Sequence, residues 1–215
     1  MKENIFKRTG SAIVHGIIHF IYFIWSVADL IIFLPKIEYE DEESKRLMNS
    51  DTPCILIGNH TSHNDGFFVP QALFKKKMYV LVTNKWYGKK SLNIFFRHLR
   101  YIPIDLNTLD TGWLESCKEV MDKGCSVLIF PEGKIEREGY VHEFLPGFLM
   151  LAKRTDAPII PLAITGGYRK FRRQHILVGK KIEYDVKQKG RPSQIFKEGA
   201  DICKTQIEDM LKRAQ

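Results

Sequence analysis

The chain has 215 residues, is 44% hydrophobic and 27% charged, and carries a formal net charge of +8. That composition excludes a disordered or fibrous chain and is enough for one globular domain without disulfide staples. Four cysteines, at positions 54, 117, 125 and 203, make no Cys-x-x-Cys pair and no zinc spacing, so they read as reduced thiols in a cytosol-facing protein.

Residues 1–10 are polar and include Lys2, Lys7 and Arg8. From Ser11 to Leu34 the chain is apolar for long enough to cross a bilayer, which takes about 20 residues. Its polar members, His15, His19, Tyr22, Ser26 and Asp29, recur at steps of three and four and so form one stripe along a helix. A cleaved signal peptide fits poorly, because Ser26-Val-Ala28 is followed by more apolar residues. A single span would carry the positive residues on its N-terminal side and Glu38 to Glu43 after it, which places the remainder of the chain outside. The stripe suits a helix lying in or against lipid with one seam toward protein or water, and residues 1–35 are expected to form such a monotopic anchor. Burial as an ordinary core helix is the competing reading.

Pro35 ends the anchor, and Glu38 to Asp51 reads as an acidic, turn-rich linker. Cys54-Ile-Leu-Ile-Gly58 is then a short buried strand, and His60 sits at its end. Asn64 or Asp65 is a fitting N-cap for a helix that starts Gly-Phe-Phe. The intervening loop can fold back so that Asp65 reaches one ring nitrogen of His60, leaving the other free to take a proton from a substrate. A metal site from His60, His63 and Asp65 has no second ligand cluster beside it, and a plain capping aspartate next to a surface histidine is the bland alternative.

From Gly66 to Ile104 there is no Asp or Glu, while eight Lys and Arg alternate with aromatic residues. A solvated face usually mixes signs, so this segment implies an anionic partner. A helix runs from Asp110 or Thr111 to Lys123, and residues 125–130 form a second apolar strand that stops at Pro131-Glu132-Gly133-Lys134. Further elements are a helix from Gly147 to about Arg154, a strand from Ile159 to Ile164, two edge strands around Gly179, and a last helix from about Glu198 to Arg213. Tyr168-Arg-Lys-Phe-Arg-Arg173 is a second basic cluster, for which a membrane surface is preferred to nucleic acid. Two strands ending in polar turns within an alternating pattern place both turns at one edge of an α/β sheet, where such folds bind ligands.

His60-x-x-x-x-Asp65 followed by Phe130-Pro-Glu-Gly133 resembles the glycerolipid acyltransferases, and most closely the 1-acylglycerol-3-phosphate acyltransferases. Ile160-Pro161-Leu162-Ala163 is similar to a further block of that family, and the resemblance runs from about Lys36 to the C-terminus. It implies an acyltransferase domain over residues 36–215, with a central, largely parallel sheet flanked by helices. His60 would be the general base, oriented by Asp65. Lys85, Glu132, Gly133, Lys134 and Arg137 would form the acceptor and phosphate site. No metal or bound cofactor is expected. The donor would be acyl-CoA or acyl-carrier protein, the acceptor a lysophospholipid, and nucleic acid no partner. Because thioester donors are cytosolic, the resemblance implies a peripheral or monotopic protein on the cytoplasmic face. Two positions depart from the pattern: Leu106 follows Asp105 where the family usually has Arg, and Lys134-Ile135 stands where Thr-Arg is common. The competing classes are an acyltransferase for another lysolipid and a non-catalytic basic membrane- or nucleic-acid-binding protein.

Overall fold

The structure is a computed structural model that describes residues 2–88, 96, 98–108, 111–135 and 140–214, with side chains from residue 12 onward and that of Tyr87 excepted. Helix α1 (Lys2–Phe33) leads into β1 (Lys36–Tyr39), α2 (Glu42–Met48), β2 (Ile55–Gly58), α3 (Asp65–Ala72), β3 (Met78–Thr83), α4 (Asn84–Tyr87) and β4 (Tyr101–Ile104). There follow α5 (Gly112–Asp122), β5 (Ser126–Ile129), α6 (Gly147–Thr155), β6 (Ile159–Thr165), β7 (His175–Val178) and α7 (Pro192–Arg213).

The strands form one sheet in the order β1-β7-β6-β2-β5-β3-β4. Five strands from β6 to β4 are parallel; β7 runs against β6, and β1 pairs parallel to β7. The pleat explains why β2 is apolar at every position: Ile55 and Ile57 point to one face and Leu56 to the other, and all three are fully buried. Each such side chain contributes roughly 1.5–3 kcal/mol by leaving water. On one face Leu114 and Cys117 of α5, Phe148 and Leu149 of α6, and Cys203 and Ile207 of α7 cover the sheet. On the other, Phe68 and Val69 of α3 and Ile18 of α1 do so. The fold is therefore the expected α/β sandwich with a largely parallel sheet.

Only a narrow strip of α1 joins that core. His15 Nδ1 lies 3.1 Å from His98 Nδ1, His19 Nε2 lies 3.0 Å from the His98 carbonyl, and the buried Asp29 accepts from Asn64 at 3.4 Å. The polar stripe read from the sequence is thus the seam toward protein, while Ile13, Phe20, Phe23, Ile24 and Ile31 are exposed. Residues Ala12–Phe33 form a helix long and apolar enough to cross a membrane, with few of its side chains buried.

Three local expectations are corrected. The acidic stretch after Pro35 is not a linker: it holds edge strand β1 and helix α2, whose N-cap Asp41 accepts from Ser44 N at 2.7 Å and whose first turn carries Glu42 and Glu43. Acidic residues there complement the helix dipole, so the run was a capping signal. Lys181 to Val186 is no strand. Gly179 N and Ile182 N donate to Pro161 and Ile159 of β6, but the chain then leaves, and β7 is an interior strand. Finally, Lys76 of the one-signed basic segment faces no partner: it is buried, and its Nζ donates to the carbonyls of Leu47, Ser50 and Thr52 at 2.6–3.0 Å. Burial lowers its pKa, and the nearby Cys54 partly offsets this.

Candidate active site

The central strands β2 and β5 are neighbours, with Ile57 opposite Ile129, so the turns that follow them lie side by side at the carboxyl edge of the sheet. Asn59 locks the exit from β2. Its side chain donates to the Ile164 carbonyl at 3.0 Å and accepts from the Ile164 amide at 2.8 Å, which ties the turn to β6. The next residue, His60, is held from three sides. Its backbone N–H donates to Glu132 Oε1 at 2.8 Å, its ring stacks on Phe130 at 4.4 Å between centroids, and its Nδ1 lies 2.9 Å from Asp65 Oδ2.

Asp65 does more than cap a helix. Asn64 occupies the N-cap position of α3 with helical dihedrals and no side-chain capping bond, and the fully buried Asp65 carboxylate folds back over the loop instead. Oδ2 accepts from the amides of Thr61 at 2.7 Å and Ser62 at 2.8 Å as well as from His60, while Oδ1 accepts from Tyr168 Oη at 2.6 Å and Thr61 Oγ1 at 3.3 Å. A carboxylate so placed requires the proton of the shared His60 bond to sit on Nδ1, which leaves Nε2 as the nitrogen available to the cavity. Burial, and then the adjoining Asp65 charge, hold the Tyr168 phenol above its ordinary pKa, so it remains a donor.

Glu132 is buried as well, and both of its oxygens are engaged: Oε1 by His60 N, Oε2 by His142 N at 2.9 Å. Burial pushes its pKa up and the two amides pull it back. It therefore ties its own turn after β5 to the His60 turn and to the loop ahead of α6, and it shapes the site from behind rather than lining it. Gly133, at φ +66°, occupies the left-handed region, and a Cβ there would come within 3.1 Å of Leu145 and 3.2 Å of Leu106.

His60 opens onto a cavity of ≈ 1310 Å³ that reaches both faces of the sheet. Phe67, Val80 and Tyr101 wall it on the α3 side, and Leu81, Trp113 and Phe148 on the other. Lys85, at the start of α4, and Lys134, beyond Gly133, both line it and are exposed; neither makes an ion pair among the described residues. Leu106 lines the same space. Of the residues singled out from sequence, His60, Lys85, Gly133 and Lys134 meet at this cavity, with Asp65 and Glu132 directly behind it; Arg137 lies outside the described residues. His60 Nδ1 is committed to Asp65, the His63 ring stands edge-on to Trp86 at 4.7 Å, and no three His, Cys, Asp or Glu among the described residues are grouped as metal ligands.

Two contributors escaped sequence reasoning. Tyr168 lies 103 positions from Asp65 inside a basic run, and its only signal is the preceding Gly166-Gly167 turn. Asn59 looks like an ordinary strand breaker until β6 is placed beside it.

Residues 36–165 match the family model described as Acyltransferase. The chain is 26% identical over 158 residues to a chloroplastic 1-acyl-sn-glycerol-3-phosphate acyltransferase of Brassica napus, covering 69% of this chain and 42% of that protein. It is 28% identical over 163 residues to a chloroplastic enzyme of the same name from Arabidopsis thaliana, covering 69% and 41%, and 32% identical over 137 residues to a 1-acyl-sn-glycerol-3-phosphate acyltransferase of Cocos nucifera, covering 60% and 42%. The chain thus spans less than half the length of these relatives. The crystal structure of the 1-acyl-sn-glycerophosphate (LPA) acyltransferase PlsC from Thermotoga maritima superposes with a TM-score of 0.59 at 19% identity, over 95% of this chain and 82% of that one, and has the same fold. With the His60/Asp65 pair and the Phe130–Gly133 turn both inside the matched span, this chain belongs to the acyltransferase family.

Proposed function

We propose that the protein transfers a fatty acyl group from acyl-CoA or acyl-carrier protein to the free hydroxyl of 1-acylglycerol 3-phosphate, forming phosphatidic acid. One observation carries this reading. A histidine braced by a buried carboxylate opens on a cavity whose walls are apolar and whose polar lining includes two lysines that make no ion pair among the described residues. The apolar walls suit an acyl chain, and Lys85 and Lys134 suit a phosphate. The relatives' names supply the acceptor.

His60 Nε2 takes the proton of the acceptor hydroxyl as that oxygen attacks the thioester carbonyl. The new C–O bond forms, the C–S bond breaks, and the proton passes from His60 to the leaving thiolate. Asp65 steadies the imidazolium meanwhile, and because the attacking hydroxyl belongs to the acceptor no acyl-enzyme forms. The amides of His60, Thr61, Ser62 and Gly133 already have acceptors, so the developing oxyanion is met by other donors. Neither metal nor bound cofactor enters this scheme. The chemistry takes place at a membrane on its cytoplasmic face, with residues 1–35 as a monotopic anchor whose exposed apolar side lies in lipid.

The test is an assay of acyl-CoA and acyl-carrier protein against a panel of lysolipids and glycerol 3-phosphate, with products identified by mass spectrometry. His60→Ala is expected to lose roughly 10²–10⁴-fold in rate with its thermal midpoint retained. Wild-type turnover in that variant would remove His60 as the base. Thioester consumption with none of the acceptors would end the acyltransfer reading.

A further inference from the structure

A second concavity, of ≈ 680 Å³, lies apart from the His60 cavity and is lined by Thr165, Gly166, Gly167, His175, Ala214 and three arginines, Arg169, Arg172 and Arg173. No carboxylate lines it among the described residues, and from Ala157 to Ile182 the sequence contains no Asp or Glu. Arg169, Lys170, Arg172 and Arg173 form no ion pair among the described residues. Four cations concentrated in one tight loop repel one another, and folding leaves that cost uncompensated unless an anion joins them.

The loop's form is imposed by its surroundings. Gly166, at φ +108°, passes so close to the backbone of Arg173 that a Cβ would stand 2.8 Å from the Arg173 carbonyl oxygen. Tyr168 and Phe171 sit in the left-handed region at φ 49° and 58°. Phe171 N donates to the Ile32 carbonyl at 2.7 Å and Gln174 N to the Phe33 carbonyl at 2.8 Å, so the loop is fastened to the C-terminal end of α1. These bonds hold Phe171 in solvent at 73% exposure, beside Ile31 and Leu34, which are exposed too. An exposed phenylalanine next to an apolar helix end, with arginines beside it, matches the layering of a bilayer surface: ring among the acyl chains, guanidinium groups at the phosphates.

We infer that Arg169, Arg172 and Arg173 form a binding site for the phosphate of an anionic lipid headgroup, distinct from the catalytic cavity, which seats the protein on its membrane with Phe171 inserted beside α1. Nucleic acid is the poorer fit. The Tyr168 ring packs edge-on against Phe33 and Phe68, which leaves Phe171 as the loop's one exposed ring and no platform on which successive bases could stack. The inference rests on the membrane reading of α1 given above.

The test is partition of the purified full chain onto phosphatidylcholine vesicles with and without phosphatidylglycerol. Wild-type protein is expected to bind neutral vesicles through α1 and anionic ones more tightly. The Arg169→Gln/Arg172→Gln/Arg173→Gln triple is expected to keep neutral binding and lose roughly 100-fold on anionic vesicles, at about 1 kcal/mol per basic residue near the surface. The matching Arg→Lys triple keeps the charges and controls for folding, so it is expected to recover most of the increment. An unchanged anionic increment in the Gln triple, or no recovery in the Lys triple, would overturn the site. Abolition of the increment by millimolar inorganic phosphate would assign the pocket to a free anion instead, and triple-sensitive retention of single-stranded RNA would assign it to nucleic acid. Absence of binding to neutral vesicles would remove the anchor role of α1 while leaving the arginine effect on anionic ones to stand or fall by itself.

Discussion

Two buried carboxylates, seven ångström-scale bonds between them, hold the two turns of this site, and they do so in opposite ways. Asp65 faces a mixed set: two amides, the His60 imidazole, and the hydroxyls of Tyr168 and Thr61, which can turn to donate or accept. Glu132 faces two backbone amides and nothing else among its bonds, and an amide N–H can only donate. The first environment tolerates a change of hydrogen-bonding character at one oxygen; the second does not. The proposed chemistry thus rests on an adaptable pocket, and the frame around it on a rigid one.

The same isosteric substitution should separate them. In Asp65→Asn, the amide oxygen can keep the three bonds of Oδ2 while the new NH2 donates to a reoriented Tyr168 hydroxyl, so the turn survives. The charge that steadies the imidazolium does not. Activity is expected to fall roughly 10²–10⁴-fold, in kcat more than in KM, with the thermal midpoint nearly unchanged. A melting shift as large as the activity loss in free-energy terms would show that the pocket is not adaptable.

Glu132→Gln should do the reverse. Either orientation of the amide points an NH2 group at a part-buried backbone N–H, which costs about 1–3 kcal/mol and lowers the midpoint by several degrees in a chain of this size. Turnover should fall in step with the loss of folded site, not beyond it. If the Gln variant melted like wild type, Glu132 would not be the tie between the turns.

The balance between adaptable and rigid parts was only half legible beforehand. His60 and Asp65 are five positions apart on one strand-to-helix turn, so their pairing follows from local geometry; the two strand-ending turns follow from short apolar runs closed by Gly and Pro. Their adjacency depends on β2 and β5 being neighbours although β3 and β4 intervene in the chain, which no local pattern encodes. Tyr168 reaches Asp65 across 103 positions for the same reason. Lys76 misled because composition counts a charge without asking which carbonyls surround it. The two long helices make a parallel case. The pattern starts α7 near Glu198, whereas the helix begins at Pro192; Cys203, Ile207 and Met210 are buried but Ile202 is exposed, and Gly199 permits close packing on Tyr184 and Leu149. In α1 the period was just as plain, but the polar stripe faces protein and the apolar side faces out.

Tyr168→Phe removes one donor to Asp65 and leaves the ring packed on Phe33 and Phe68. A hydrogen bond to a charged group is worth about 1.5–3 kcal/mol, and Thr61 Oγ1 remains beside the same oxygen, so a loss near tenfold in kcat is expected. Tyr168 would then be a positioning residue acting through Asp65. Combining it with Asp65→Asn provides the sharper measurement: with the carboxylate gone the hydroxyl should matter far less, and strictly additive losses would mean that Tyr168 acts elsewhere.

The smallest effect belongs to Lys134, on the rim beyond Gly133. It lines the cavity, is exposed, and makes no ion pair among the described residues. An exposed point charge meeting a phosphate contributes about 1 kcal/mol, which is roughly fivefold in binding. That contact is present before and during acyl transfer alike. Lys134→Ala should therefore raise KM for a phosphate-bearing acceptor and leave kcat nearly alone, with no change for an acceptor that lacks the phosphate. A fall in kcat at constant KM would move Lys134 from the acceptor's phosphate to the reacting carbonyl, where a cation matters only once the oxyanion has begun to form.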